Sequence, residues 1–376
     1  MDTEHSWRGG EAQVFSLCRG LAGKGYNQTV VCQPGSPLEK RLKDINVDIV
    51  PMNMKGEFDL PSAFRLARIC SRRCIDLLHA HDAHAHALAW FSQMVPPKRP
   101  VVVTRRVDFP VGRNPFSRLK YTASYVHFIA ISRGVREVLL KGGVSEKHLH
   151  LVHSGIDPRR FEDKCDPQAF LKRFSLGGHE IIIGNIGALT DHKGQTYLID
   201  AAPQILEKMP QARIFIIGEG ELRSSLEAQI RRLNLEGKVI LTGYQEQIGD
   251  ALSAMDVFVL SSHLEGLCTS LLDAMLMGVP VVATNTGGVP DAIIHGETGI
   301  LIEPRNPGAL AWAVIEMLED RERSRRFIEA ARKRALDSFT VGRMVDGTSD
   351  VYRTVLEPKP DWTKGDVAYG KGKGTR

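Results

Sequence analysis

Short apolar runs alternate with amphipathic stretches from one end of this chain to the other. That alternation restricts the fold more than any other feature. Runs at residues 30–31, 77–80, 101–104 and 127–132 read as short buried strands. Between them, residues 11–23, 61–73 and 84–94 read as helices. The second half repeats the pattern more clearly, with strands expected at 181–187, 213–218, 239–242, 257–261 and 279–283 and helices at 194–208 and 221–234. Strands buried on both faces and separated by helices form parallel sheets covered on both sides. The expected class is therefore α/β with doubly wound parallel sheets. At 376 residues the chain is too long for one small core and suits two such domains.

The alternation pauses near residues 155–180, where Ser154, Gly155, Ile156, Asp157 and Pro158 read as a turn. Placing the boundary there gives a first domain over residues 1–160 and a second over 161–340. A helix over 341–358 follows. Residues 359–376 are rich in glycine and lysine, with few apolar side chains, and are expected to be a disordered basic tail. At the front, residues 1–5 offer no apolar strand before Gly9 and Gly10. The central first strand of the first sheet is thus expected to be truncated.

Apolar residues make up 43% and charged residues 25%, which excludes disorder of the whole chain. No apolar run approaches the roughly 18 residues of a membrane span. The first residues lack a signal-peptide core, so a cytoplasmic protein is expected. The six cysteines follow no zinc or redox spacing and are expected to stay reduced. Charge is uneven: residues 1–150 carry +9 and the remainder −4. The first half is the part expected to meet an anionic partner.

Four segments could carry chemistry. Arg8, Gly9 and Gly10 precede a helix, where amides without a Cβ in the way can approach an anion. The segment His79, His81, Asp82, His84 and His86 follows a strand, at the end where open α/β sheets bind ligands. Its spacing does not match a metal site, and His81 is the member expected to act; His84 and His86 are expected on the exposed face of the next helix. Gly187 and Lys193 flank a strand-to-helix loop, where an ammonium adds to the helix dipole. The densest segment runs from Ser261 through Glu265, Gly266, Leu267, Cys268 and Thr269 to Asp273. A carboxylate just before a helix and another just inside it can grip hydroxyls, while the free amides of 266–269 hold a phosphate. Hydroxyls and phosphate on one molecule suggest a sugar nucleotide.

These motifs together resemble the retaining glycosyltransferases of family 4, which have the GT-B architecture. The resemblance runs from Ile182 to about Leu318. It rests on Gly187 with Lys193 and Gly194, residues 217–220, 241–243 and 256–258, Glu265 with the carboxylate eight positions on, and residues 287–290 and 296–299. The first half resembles the family through residues 9–11, 79–81, 130–132 and 154–157. The resemblance implies two Rossmann-like domains facing across a cleft, with a nucleotide-diphosphate sugar bound mainly to the second. It implies that Lys193 neutralises the leaving diphosphate, Glu265 contacts the sugar, Asp273 takes the ribose hydroxyls and His81 lies near the glycosidic oxygen. Gly9 and Gly10 would close on the diphosphate, and backbone near Gly243 and Tyr244 would read the base. It implies no metal or other cofactor. Two positions depart from the family pattern: Ala188 stands where arginine is usual, and Asp273 where glutamate is usual.

The acceptor is read from residues 98–120, which carry a net +6 with Phe109, Phe116, Leu119 and Tyr121 interleaved. Arg8, Arg105, Arg106, Asp108 and Lys120 are the expected acceptor-side residues. This composition suits an anionic lipid or glycolipid surface. The expected partner is a glycan or lipid-linked acceptor in envelope glycan or lipopolysaccharide synthesis, met at the inner face of a membrane; nucleic acid is not expected. Rival readings are a sugar-nucleotide epimerase, a non-catalytic sugar-nucleotide-binding protein, and a metallohydrolase using residues 79–86.

Overall fold

Valine and isoleucine fill the runs that become strands, because β-branched side chains pack well on a pleated, buried surface. The computed structural model describes residues 1–112, 114–162 and 165–357; the expected tail at 359–376 lies outside them. The first domain holds β1 (Thr29–Cys32), β2 (Asp48–Pro51), β3 (Leu78–Ala80), β4 (Val101–Arg105), β5 (Val126–Ala130) and β6 (Leu149–Leu151). The second holds β7 (Ile181–Ile186), β8 (Ala212–Ile217), β9 (Val239–Gly243), β10 (Val257–Leu260), β11 (Val281–Thr284) and β12 (Ile300–Ile302). All the paired strands are parallel.

The second sheet is continuous, in the order β12-β11-β10-β7-β8-β9. The order reverses beside β7, and such a switch point opens a crevice at the carboxyl ends of the strands. Lys193 and Glu265 follow β7 and β10, the two strands that flank it. The first sheet is split into β1-β2 and β3-β4-β5-β6. Residues 1–3 thread the gap between them. Asp2 N–H donates to the Val31 carbonyl and His81 N–H to the Met1 carbonyl, both at 3.1 Å. Three residues thus do part of the work of the expected central strand.

The helix Val341–Leu356 crosses back onto the first domain and packs against the helix Gly9–Ala22. Gly20 is the close point, since a Cβ there would lie 2.4 Å from Val345. Tyr26 and Ser349 hydroxyls meet at 2.6 Å. Gln13 pins the same first helix to the connection between the domains, exchanging two hydrogen bonds with the Gly155 backbone.

Gly194 is the joint between the β7 loop and the helix Gln195–Lys208. Its φ is +64°, and a Cβ would meet the Ser261 carbonyl at 2.2 Å. Gly194→Ala is expected to destabilise the chain by roughly 1–3 kcal/mol. Urea denaturation of the two proteins side by side measures it.

Candidate active site

Three helices point their N-termini into the cleft between the sheets: Gly9–Ala22, Gln195–Lys208 and Thr269–Met277. Their N-cap residues are Arg8, Gly194 and Cys268, and none forms a side-chain capping hydrogen bond. Helices elsewhere vary: Pro37–Leu42, Leu60–Arg72 and Pro307–Glu319 are capped by Ser36, Asp59 and Asn306, whereas Arg223–Arg232 and Ile248–Ala254 have no side-chain cap. At Gln195–Lys208 and Thr269–Met277 this leaves amide donors and a positive dipole end free for an anion, while at Gly9–Ala22 the Glu11 carboxylate already accepts the Arg8 N–H.

Lys193 closes the loop after β7 and reaches Glu265, whose Oε2 lies 2.5 Å from Nζ. Glu265 is buried and also accepts from the Ser262 hydroxyl at 3.2 Å. Burial pulls the Lys193 ammonium down, but the Glu265 carboxylate outweighs it and holds the pKa above the usual lysine value. Gly187 lies alongside, and a Cβ there would sit 3.7 Å from Lys193 Cδ. Leu267 and Cys268 are buried behind the turn, and Thr269 faces the first domain, with its hydroxyl 3.2 Å from where a Gly9 Cβ would be.

Asp273 lies one turn inside the helix and is 1% exposed. Arg160, from the connection between domains, donates to its Oδ2 at 2.8 Å. Its Oδ1 is buried with no partner among the described residues. Burial raises its pKa to about 6, against the opposing pull of Arg160. Gly243 ends β9 with φ +79°, where a Cβ would lie 2.8 Å from Glu219 Oε1, and Tyr244 beside it is 61% exposed.

The first domain contributes His81, Arg106 and Asp108. His81 is buried, and its ring stacks 4.0 Å from that of His79. Its Nδ1 is 3.4 Å from Arg106 Nη2. Burial and the neighbouring cations keep it neutral at ordinary pH. Burial also lowers the Arg106 guanidinium, to about 10. Asp108 reaches across the cleft, its Oδ2 accepting the Glu265 N–H at 3.0 Å. Backbones pass closely here: a Cβ on Gly266 would meet the Arg106 carbonyl at 2.0 Å, and one on Gly134 the Gly287 carbonyl at 2.4 Å. A hollow of about 450 Å³ opens beside Asp108 and Leu264, walled by Arg133, Glu137, Pro290 and Asp291.

The structure therefore gathers His81, Lys193, Glu265, Asp273, Gly9, Gly10, Gly187 and residues 266–269 around one cleft. Other expected residues go elsewhere. Arg8 is exposed at the cleft edge, its N–H held by Glu11 at 2.7 Å. Arg105 spends its guanidinium on the Val107 and Phe109 carbonyls and the Tyr121 hydroxyl. Lys120 is 3% exposed, beside Glu57 and over the Phe116 ring, so it presents no charge to an acceptor. His86 is not on the exposed face but buried between Tyr121 and Phe128. The histidines of 79–86 do not converge as metal ligands: His79 is held by Tyr352 and Thr104, and His84 is exposed. Arg160 and Ser262 were not anticipated. Arg160 comes from 113 positions before Asp273, and no local spacing announces it.

The profile for Glycosyltransferase Family 4 matches residues 7–160, and that for Glycosyl transferases group 1 matches residues 168–334. N-acetyl-alpha-D-glucosaminyl L-malate synthase of Bacillus anthracis is 26% identical over 306 residues, 80% of each chain. The UDP-Gal:alpha-D-GlcNAc-diphosphoundecaprenol alpha-1,3-galactosyltransferase of Escherichia coli is 24% identical over 90% of this chain and 91% of that one. Among solved structures, a glycosyltransferase from Rickettsia africae superposes with a TM-score of 0.82 at 19% identity, covering 95% of this chain and 98% of that one. Anabaena HepE in complex with UDP and glucose gives 0.80 at 20% identity, covering 94% and 98%. The chain belongs to the family-4 glycosyltransferases of GT-B fold. It is a transferase of glycosyl groups.

A carboxyl whose folded pKa lies above its unfolded value of 3.8 favours the folded state less as pH rises from 3.8 through about 6. Above that window the ionised, buried Asp273 costs on the order of 3 kcal/mol. Asp273→Asn is therefore expected to match the wild type in stability near pH 4 and exceed it at pH 8. Denaturation curves at the two pH values check the sign.

Proposed function

We propose that the chain transfers a sugar from a nucleoside-diphosphate sugar to a hydroxyl acceptor with retention of anomeric configuration. The observation that carries this reading is the Lys193–Glu265 pair at the uncapped start of Thr269–Met277, with Asp273 one turn further on. HepE, which shares the fold, is described in complex with UDP-glucose, and this supports the donor class. The bond from the anomeric carbon to the diphosphate breaks, and its electrons stay on the phosphate oxygen. The acceptor oxygen bonds to that carbon from the same face, and its proton passes to the departing phosphate. Lys193 and the amides near Cys268 and Thr269 stabilise part of the developing charge without a metal. Arg106 faces His81 Nδ1 as a donor, so the neutral ring carries its proton on Nε2 and can donate to a sugar hydroxyl. Asp273 Oδ1 is the oxygen left for the ribose. The hollow beside Asp108 admits the acceptor.

Nucleotide-sugar hydrolysis, which is transfer to water, tests this without a known acceptor. Proton NMR is expected to show the released sugar first in the donor's own anomeric form, with EDTA present. Lys193→Ala is expected to slow release by about 100-fold. First appearance of the opposite anomer would contradict retention.

The acceptor is proposed to be a glycan or lipid-linked molecule at an anionic membrane surface. Phe58, Phe64, Met94 and Leu119 are 68%, 53%, 67% and 60% exposed on the first domain. Arg65, Arg68, Lys98 and Arg118 are exposed in the same part of the chain. Apolar side chains with interspersed cations suit a lipid interface. Among the described residues no helix is long and apolar enough to cross a membrane. Sedimentation with liposomes is expected to show preference for anionic over zwitterionic lipid, reduced in Phe58→Ser with Phe64→Ser. Equal binding to both lipids would contradict it.

A further inference from the structure

We propose that Arg106 binds the donor's diphosphate from the first domain, across the cleft from Lys193. This rests on the reading above that the cleft takes a nucleoside-diphosphate sugar. Arg105 and Arg106 are neighbours with opposite fates. Arg105 uses its guanidinium on two carbonyls and a hydroxyl. Arg106 has no carboxylate within 4 Å among the described residues, and its buried Nε has no partner there. Among the described residues its one side-chain neighbour at hydrogen-bond range is His81 Nδ1, at 3.4 Å. Asp2 and Glu11 balance its charge only through space.

The surroundings make an unspent cation costly unless an anion joins it. The Arg106 stem runs beside Gly10, 3.7 Å from where a Cβ would stand, in the first turn of Gly9–Ala22, where Glu11 accepts the Arg8 N–H. Its carbonyl abuts Gly266, at the approach to the uncapped N-terminus of Thr269–Met277. A guanidinium whose Nε is unpartnered among the described residues, lying beside the first turn of Gly9–Ala22, keeps donors free for an anion. A diphosphate also needs more positive charge than the second domain offers, because Lys193 is already engaged by Glu265 and Ala188 beside Gly187 carries none. Closure of the first domain onto the donor would bring the missing charge with it.

Calorimetric titration of the full chain, in EDTA, with UDP, GDP and ADP and their monophosphates tests this. The wild type is expected to bind one diphosphate more tightly than its monophosphate. Arg106→Gln is expected to shrink that ratio by about tenfold or more while leaving monophosphate binding unchanged. Adding Ala188→Arg to Arg106→Gln is expected to restore part of the ratio, which repair of a packing defect would not do. If Arg106→Gln does not fold, Arg106→Met keeps the stem and is read the same way. An unchanged ratio would overturn the proposal and place the guanidinium on another anion, such as one in the acceptor. Equal loss of mono- and diphosphate would overturn it in favour of a structural role. A wild type that binds no nucleotide would overturn the donor reading itself, and this proposal with it.

Discussion

A lysine and a glutamate 2.5 Å apart, at the mouth of a helix with no capping side chain, form the contact on which the site depends. Burial pulls the lysine pKa down, and the glutamate more than offsets it. The pair is placed by strand order. β7 and β10 are neighbours in the second sheet although 70 residues of chain separate them, so the loops after them open side by side. Free amides at the helix N-terminus beside the lysine favour an anion there, with the lysine's own charge partly offset by Glu265.

The second constraint is backbone proximity between the domains. A Cβ on Gly134 or Gly266 would run into the backbone of the other domain, and one on Gly287 or Gly288 into the Asp108 or Ser132 side chain of the first. These contacts let Asp108 of the first domain accept the Glu265 N–H of the second. Asp291 adds another crossing contact, accepting from His153 at 2.9 Å and from the Arg133 N–H at 2.8 Å. The domains therefore meet through small residues and single carboxylates at the cleft, while one buried apolar cluster also runs from the first domain into the second.

Much of this was legible in the sequence. Nine strands were expected within a few residues of where they lie, because β-branched runs bounded by glycine turns carry a strong local signal. β2, β6 and β12 were not, being three or four residues long with exposed or half-buried positions that blur the pattern. The second-domain site was readable since Gly187, Lys193, Glu265 and Asp273 lie in two compact motifs. The first-domain half was harder. Basic residues at 98–120 look alike in sequence, but Lys120 is buried over aromatic rings and Arg105 is consumed by carbonyls, while Arg106 reaches the cleft. Tertiary partners made those distinctions, and spacing holds no record of them. Arg160 on Asp273 is the same case, since it arrives from the connection between domains.

A crystal structure of the protein with a bound nucleoside diphosphate tests the account most directly. The account predicts phosphate oxygens within hydrogen-bond distance of Lys193 Nζ and of the amides near Cys268 and Thr269, with the ribose at Asp273. A nucleotide bound away from Lys193 and that helix N-terminus would contradict it.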